Sequence, residues 1–443
     1  MTARDQQGLP VTASPTAVIL LDRAVADYYG WTGDPVAMLS EAVQQDPAFA
    51  LGHAALASLY ALNGMPGGSE PVQDSLRKAD AAIAGTSTRE QRHLAAATAW
   101  SRGEMIAATN ICEDILVDHP RDALALRFAH DSYFYLGHSQ SIRDSVARVL
   151  PAWDTDNPNY GFVLGQYAFG LEEMGELSRA ESIGLKALEI NAKDAWATHA
   201  IAHVLETECR QAEGINFLKS SHSNWSSAHA LAIHNGWHLA LYLIEEGRFP
   251  EVLADYDRFI APKLSGDSLL DLVDAAALLW RLELAGADVG HRWMPLADQW
   301  MTHADDHVLV FNDMHIALAA ARAGGDRVKR LKASLDVFAA NGSGDNHQIT
   351  IEVGRTIIDA IVAFAEADYR RTTELLLPIR YQVIRIGGSH AQRDIVTQTL
   401  ITAADRSGQA NLLRNLLAER FAVRPTEKTR HALIKAGGHI WNE

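Results

Sequence analysis

Residues 158–194 read PNYGFVLGQYAFGLEEMGELSRAESIGLKALEINAKD and decide the fold. Apolar residues recur three and four positions apart on both sides of Gly175-Glu176-Leu177, which predicts two helices joined by a tight turn. Ala180 and Ala187 are small residues of the second helix, so they allow the two helices to cross closely. The turn at Asn191–Asp194 ends the second helix. The segment is therefore predicted to form one helix–turn–helix unit.

Similar breaks recur along the chain and indicate a repeat. Asp46-Pro47, His119-Pro120 and Asn157-Pro158 each follow an apolar helical segment and open another, and the last two are 38 residues apart. Helix–turn–helix units of about 34 to 38 residues are typical of tetratricopeptide-like arrays. We therefore predict an all-α fold, a tetratricopeptide-like right-handed superhelix of antiparallel helix pairs.

The predicted domain organisation is simple. A flexible N-terminal tail is expected over 1–15, because this segment is polar and rich in turn residues. A single continuous repeat domain is expected over 16–443, with a central polar pocket formed mainly by 195–403. Two capping boxes, which begin at Ser87 and Ser389, predict helix starts at those residues.

Composition limits the classes of function. The chain has 443 residues, with 39 Lys and Arg against 55 Asp and Glu, and a net charge of -16. This acidic balance argues against nucleic acid and against an anionic membrane surface as partners. Cys112 and Cys209 are the only thiols, which excludes a disulfide framework and a thiolate zinc site.

The uncharged stretch 220–244 contains four His, so it is predicted to be protein interior and not a membrane span. Without a secretion signal at the N-terminus, the protein is expected to be cytoplasmic.

Ionisable residues recur with the period of the repeat. Two His four residues apart share one helix face, and an equally spaced pair follows 35 residues later. Further ionisable or polar residues follow at roughly one and two more periods. Equivalent positions on the first helices of successive repeats form a column that faces one cavity. The predicted column contains His199, His203, Glu206, His234, His238, Tyr242, Asp271, Asp274, His307, Asn312 and His315.

The segment 267–285 supports a buried column. It is apolar nearly all round, which is typical of a buried helix, yet it carries Asp274 and Arg281 on one face. Burying these charges without partners would cost several kcal/mol, so we expect them to be paired or to face an enclosed wet pocket.

This column predicts acid–base chemistry, because His titrates near neutral pH and Asp orients it. The expected catalytic residues are His199, His203, His234, His238, Asp274 and His315. The expected substrate contacts are Tyr242, Arg281, His307, Asn312, Arg380 and Arg393. The simpler alternative is that these His only satisfy hydrogen bonds inside a helical core.

A more specific form of this hypothesis is that the column binds a divalent metal, Zn or Fe. Paired His at four-residue spacing plus an acidic ligand is how helices hold these metals. The expected ligands would be His199, His203, His234, His238 and Glu206. The sequence lacks the Glu that follows the first His in the zinc-protease motif, so no cofactor is assigned with certainty.

A second polar cluster lies near the C-terminus. Arg380 and Arg393 flank the Gly387-Gly388 turn and a predicted helix start. Two Arg in this arrangement could clamp a carboxylate or another anion. The alternative is that both are surface Arg in weak ion pairs.

Several of these segments resemble a known family. The segments are HAIAHVLE (199–206), HNGWHLALY (234–242), FNDMH (311–315), LLPIRY (376–381) and GGSHAQRD (387–394). They are similar to the tetratricopeptide repeat protein 38 family, and the resemblance runs along nearly the whole chain. It implies an all-helical, tetratricopeptide-like superhelix in which the polar segments are family features. It does not imply a particular reaction.

Three functions are compatible with these patterns. The first is a soluble enzyme that encloses a small polar metabolite and acts on it by hydrolase, isomerase or lyase chemistry. The second is a non-catalytic scaffold that binds a peptide or partner protein in its concave groove. The third is a small-molecule sensor without turnover. No nucleic acid or membrane partner is expected, and both a monomer and a homodimer are compatible with the sequence.

Overall fold

The structure is a computed structural model that describes residues 2–266 and 268–440, without the side chain of Thr2. Asp267, the first residue of the helix predicted over 267–285, lies outside the described residues, and that helix spans Leu269–Leu284. Helices dominate the described residues, and the only strands among them are β1 (Thr2–Arg4) and β2 (Pro10–Thr12). The predicted all-α, tetratricopeptide-like fold class is confirmed.

The helices follow one another with short connections. In chain order the first are α1 (Pro15–Gly30), α2 (Pro35–Gln45), α3 (Ala50–Leu62), α4 (Glu70–Ala82), α5 (Thr88–Ser101), α6 (Met105–Asp118), α7 (Ala123–Leu136), α8 (Ser139–Val149), α9 (Tyr160–Glu173), α10 (Leu177–Ile190), α11 (Ala195–Thr207), α12 (Gln211–Ser220) and α13 (His222–Trp225). The remainder are α14 (His229–Glu245), α15 (Phe249–Asp255), α16 (Leu269–Leu284), α17 (Trp293–Trp300), α18 (Val310–Ala323), α19 (Arg327–Asn341), α20 (Gly344–Ile349), α21 (Arg355–Ala365), α22 (Tyr369–Ile379), α23 (His390–Arg406), α24 (Ala410–Val423) and α25 (Glu427–Lys435). Single turns of 3₁₀ or π helix occupy Leu150–Ala152, Tyr256–Ile260, Ala261–Lys263, Gly290–Arg292, Met301–His303, Thr350–Gly354 and Val383–Ile386.

Contacts divide the chain into two compact units. The N-terminal unit comprises residues 1–201, 223–232 and 342–348, and the C-terminal unit comprises the rest. The sequence predicts one continuous domain over 16–443, so this division differs from the expectation.

The N-terminal unit shows the predicted period. From α1 to α11, the first helices of successive pairs start 35 to 38 residues apart. In the α9–α10 pair the turn passes through Gly175, whose φ of 75° is the left-handed conformation that favours glycine. Ala180 and Ala187 are buried, and Ala187 packs in one cluster with Leu164 of α9. The helix–turn–helix unit predicted over 158–194 is therefore present.

Capping side chains fix several helix starts. Ser87 and Glu90 form a complete capping box at α5, and Ser389 and Gln392 form another at α23. In each box the Ser hydroxyl accepts a hydrogen bond from the third helical N–H, and the partner side chain accepts one from the Ser N–H. Both predicted starts are confirmed.

Residues 2–12 form a hairpin that packs within the N-terminal unit. Strands β1 and β2 pair antiparallel, and the Thr12 N–H donates to Glu90 Oε1 at 2.8 Å. The Arg89 guanidinium donates to the Pro10 carbonyl at 2.9 Å. The flexible tail predicted over 1–15 is thus replaced by a docked hairpin. The α5 capping box carries a carboxylate that binds this hairpin, a contact that the polar composition of the tail does not reveal.

Among the described residues, every helix is too short or too polar to cross a lipid bilayer.

Candidate functional site

The predicted His column lies on first helices of successive pairs, as the period requires. His199 and His203 are on α11, His234 and His238 are on α14, and Asp274 is on α16. All five side chains are buried. Because the division between the units falls within α11, His199 belongs to the N-terminal unit and the other four belong to the C-terminal unit.

His199 lies in an aromatic environment within the N-terminal unit. Its ring centroid is 4.8 Å from that of Trp196 and 5.3 Å from that of Phe169. His130 contacts the same two aromatic rings, at 5.9 and 6.1 Å. Burial lowers the pKa of His130 to about 3, and the charge of Arg127 lowers it further, so this imidazole is neutral at physiological pH.

In the C-terminal unit three imidazoles converge. One potential ligand atom from each of His203, His234 and His238 lies within 4.8 Å of the others. The ring centroids of His203 and His238 are 4.4 Å apart, and those of His234 and His238 are 5.1 Å apart. We call these three residues the His cluster.

Two carboxylates orient the His cluster. Nδ1 of His234 lies 2.9 Å from both carboxylate oxygens of Asp274, and Nδ1 of His238 lies 3.2 Å from Glu206 Oε2. Burial raises the pKa of the Asp274 carboxyl, although the neighbouring His234 lowers it. Burial lowers the pKa of His238 to about 4, against the opposing effect of Glu206. Each carboxylate therefore accepts a hydrogen bond from a buried, oriented imidazole.

Among the described residues, Asp274 pairs with His234 and Arg281 forms no ion pair with Asp274. The Arg281 guanidinium instead donates to the carbonyl oxygens of Ala391 at 2.6 Å and Gln392 at 3.2 Å. It also lies 5.1 Å from the ring centroid of Trp237. Burial lowers the pKa of Arg281 to about 10, so the side chain stays charged at pH 7.

A partly buried ion-pair network adjoins the His cluster. Glu206 binds His238 with one oxygen and Arg424 with the other. Arg424 also donates to Asp394 at 3.2 Å, and Arg420 makes two hydrogen bonds to Asp394, of 2.5 and 2.9 Å. Burial alone would raise the pKa values of Glu206 and Asp394, but the adjacent Arg charges outweigh it and hold both well below the usual range. Both carboxylates are therefore ionised.

Sequence reasoning missed Arg420 and Arg424 entirely. They come from the end of α24, and Arg424 contacts a carboxylate 218 residues earlier in the chain. No spacing or periodicity connects positions so far apart. The pairing of Asp394 with Arg420 and Arg424 was also unexpected, because its place in the first turn of a helix already accounts for an acidic residue.

The network borders a cavity of about 640 Å³ in the C-terminal unit. Of the predicted site residues, Glu206, Tyr242 and Arg281 line this cavity, whereas the His cluster lies outside its lining. The remaining polar lining comes mainly from α23, α24 and α25. The charged residues of the whole cavity lining are Glu206, Glu245, Arg281, Asp394, Asp405, Arg406, Arg420, Arg424, Lys428 and Lys435.

Tyr242 has a packing role at the cavity edge. Its hydroxyl donates to the Ala202 carbonyl at 2.5 Å. A side chain on Gly214 would lie 2.5 Å from the Tyr242 ring, so glycine is needed there for α12 to approach α14. Tyr242 therefore ties α14 to the helices on either side of the turn that follows α11.

The residues predicted further along the column are dispersed. His307 precedes α18 and binds Asp313 at 3.0 Å and Ser334 at 2.8 Å, outside the cavity lining. Its placement in the column was wrong because α16 and α18 start 41 residues apart, so a constant period selects a loop residue.

His315 is buried on α18, where its Nδ1 lies 2.7 Å from the Phe311 carbonyl oxygen. Burial lowers the pKa of His315 to about 4. Asn312 is half-buried on the same helix.

The predicted anion clamp of Arg380 and Arg393 does not form one site. The Arg380 guanidinium lies 3.3 Å from the Glu419 carboxylate and over the Tyr381 ring. Arg393 donates to the carbonyl oxygen of Gly388. The two side chains therefore have separate partners, and neither lines the cavity.

Comparison with known proteins adds little to this description. No protein-family model matches the chain, so the resemblance to the tetratricopeptide repeat protein 38 family stays a prediction. Among solved structures, the crystal structure of yeast Tom70 is similar along 95% of both chains, at 14% sequence identity and a TM-score of 0.33. This likeness is too low to carry any function over to the present chain.

Proposed function

We propose that the chain is a tetratricopeptide-like binding protein whose C-terminal unit takes an acidic segment of a partner protein into its cavity. The cytoplasmic location and the family membership expected from the sequence belong to this proposal. The observation that carries it is the charge of the cavity lining, which differs in sign from that of the whole chain.

The cavity lining has a cationic excess. It contains six Arg and Lys side chains and four Asp and Glu side chains, in a protein whose net charge is -16. Two of those four carboxylates, Glu206 and Asp394, are already paired with Arg420 and Arg424. The four remaining cations face only two remaining carboxylates. Complementary charge favours an anionic occupant, because opposite potentials steer association and disfavour wrong partners.

Arg281 gives this cavity a buried anchor. The side chain is 2% exposed, and among the described residues no carboxylate forms an ion pair with it. Its guanidinium hydrogen bonds go to backbone carbonyl oxygens, and its Nε–H has no acceptor in the described part of the chain. The carboxylates of Asp394 and Glu206 attract this guanidinium without hydrogen bonding to it, and both already pair with Arg420 and Arg424. A carboxylate of the bound segment would give Arg281 an ion-pair partner of its own.

Selection from a random peptide display library tests the proposal directly. Peptides that bind the full chain should be enriched in Asp and Glu. Reversing two exposed charges of the lining, Lys428→Glu with Lys435→Glu, should weaken the selected peptides at least tenfold and reduce the salt dependence of binding. The matched control is Lys329→Glu, on the exposed surface of α19 away from the cavity. Selection without acidic enrichment, or equal affinity of both variants, would refute the proposal.

A second candidate function rests on the His cluster. A soluble enzyme that acts on a small polar metabolite would use these buried imidazoles as acid and base, with Asp274 and Glu206 orienting them. The test is incubation with a cellular metabolite extract, in which the wild-type chain should consume a compound that His203→Ala and His238→Ala spare. If both variants behave like the wild type, this function is wrong.

A further inference from the structure

The His cluster brings together side chains that a metal ion requires. His203 lies on α11, and His234 and His238 are four residues apart on α14, so the cluster is built from two rigid helices. Its three potential ligand atoms lie within 4.8 Å of one another. Tetrahedral ligands at Zn–N distances of 2.0–2.1 Å are about 3.4 Å apart, so a small rotation of the rings would bring them into coordination.

The carboxylates around the cluster match the outer shell of such a site. Asp274 and Glu206 accept hydrogen bonds from Nδ1 of His234 and His238. A proton held on Nδ1 places the lone pair of each imidazole on Nε2. Ligating His in metal sites are oriented in this way, by a carboxylate on the ring nitrogen that does not touch the metal.

Charge balance also favours a cation here. Imidazoles that ligate a metal bring no charge, whereas Asp274 and Glu206 each bring a carboxyl group into a buried position. Arg424 compensates Glu206 from one side. For Asp274 the described residues provide only the imidazole of His234 as an ion-pair partner. A divalent ion next to His234 would supply the missing positive charge.

We propose that His203, His234 and His238 bind one divalent transition metal ion, with Asp274 and Glu206 as positioning residues. Imidazole nitrogen suits zinc and its neighbours in the first transition series and does not suit magnesium or calcium. Of these five residues only Glu206 lines the cavity, and the three ligands lie outside its lining, so this proposal does not depend on the binding of an acidic segment.

The test is metal binding by the full chain after any affinity tag has been cleaved. The protein is stripped with a chelator and titrated with zinc against a competing chelating indicator, and metal content is measured by mass spectrometry. One ion per chain is expected. Cobalt should give the visible d–d bands of a tetrahedral nitrogen site. His203→Gln and His234→Gln should each abolish both signals, whereas His53→Gln, at a buried His of the N-terminal unit, should retain them.

A second variant keeps the test decisive if a ligand variant fails to fold. Asp274→Asn leaves all three imidazoles in place, and loss of an outer-shell carboxylate typically weakens metal affinity 10- to 100-fold. Less than stoichiometric zinc in the wild type, or unchanged zinc affinity in the folded Asp274→Asn and His234→Gln variants, would overturn the proposal. Failure of this experiment would leave the peptide-binding proposal untouched, since Lys428 and Lys435 take no part in it.

Discussion

Replacing Asp194 by Asn should stabilise the protein at neutral and alkaline pH. Asp194 is buried immediately before α11, and its Oδ1 accepts hydrogen bonds from the N–H groups of Trp196 and Ala197, each at 3.0 Å. Its Oδ2 has no hydrogen-bond donor among the described residues. Burial raises the pKa of this carboxyl from 3.8 to about 7, against the lowering effect of the two backbone N–H groups. An Asn side chain accepts the same two hydrogen bonds without the buried charge.

The sign and the size follow from this pKa. Because the folded state holds the proton of Asp194 more tightly than the unfolded state, the free energy of unfolding falls as the pH rises from 3.8 to about 7. A difference of about three pKa units at about 1.36 kcal/mol each gives a cost of about 4 kcal/mol above pH 7. At pH 5 only part of this range has been crossed, and the cost is about 2 kcal/mol. The Asn side chain carries no charge, so the Asp194→Asn variant lacks this cost at either pH.

Urea unfolding at pH 5 and pH 8, followed by Trp fluorescence, measures this effect. The gain in stability of Asp194→Asn over the wild type should be roughly twice as large at pH 8. Asp34→Asn is the matched control, because Asp34 caps α2 through the Ala37 N–H but is exposed to solvent. The control should change stability equally at both pH values. An Asp194→Asn gain that is absent, or that shrinks from pH 5 to pH 8, would refute the reasoning.

Two further predictions concern the packing of the N-terminal unit. Asp122 binds Arg89 at 2.8 Å and His93 at 3.0 Å in full burial, so Asp122→Asn should lower the free energy of unfolding by about 3–5 kcal/mol in a urea titration. A loss below 1 kcal/mol would mean that this network is dispensable. Gly170→Ala would place a Cβ 2.6 Å from the Cα of Arg143, so it should cost about 1–3 kcal/mol and lower the thermal midpoint. An unchanged midpoint would show that α8 and α9 can separate without cost.

The fold was predictable because its signals are local. Prolines, glycines and capping boxes punctuate the chain at each helix pair, and helix starts such as Ser87 and Ser389 depend on residues three positions away. The period then places His203 and His238 on consecutive first helices without knowledge of any contact. The same reasoning cannot locate Arg424, because its contact with Glu206 depends on how distant helices pack.

The errors have equally physical causes. A constant period fails where single 3₁₀ turns lengthen a repeat, which is why His307 falls in a loop. Composition alone suggested a flexible tail, although two short strands and the α5 carboxylate hold that segment in place.

The bond between Glu206 and Arg424 has a consequence for how the C-terminal unit comes apart. Stacked repeats touch only their neighbours, so an open array can lose its last helices one by one from the end. Here Arg424, at the end of α24, binds the Glu206 carboxylate 218 residues upstream, which closes a long stretch of chain on itself. Local unfolding of α24 would therefore leave the buried Glu206 carboxylate without Arg424, its cationic partner. We therefore expect the C-terminal unit to unfold in one cooperative transition.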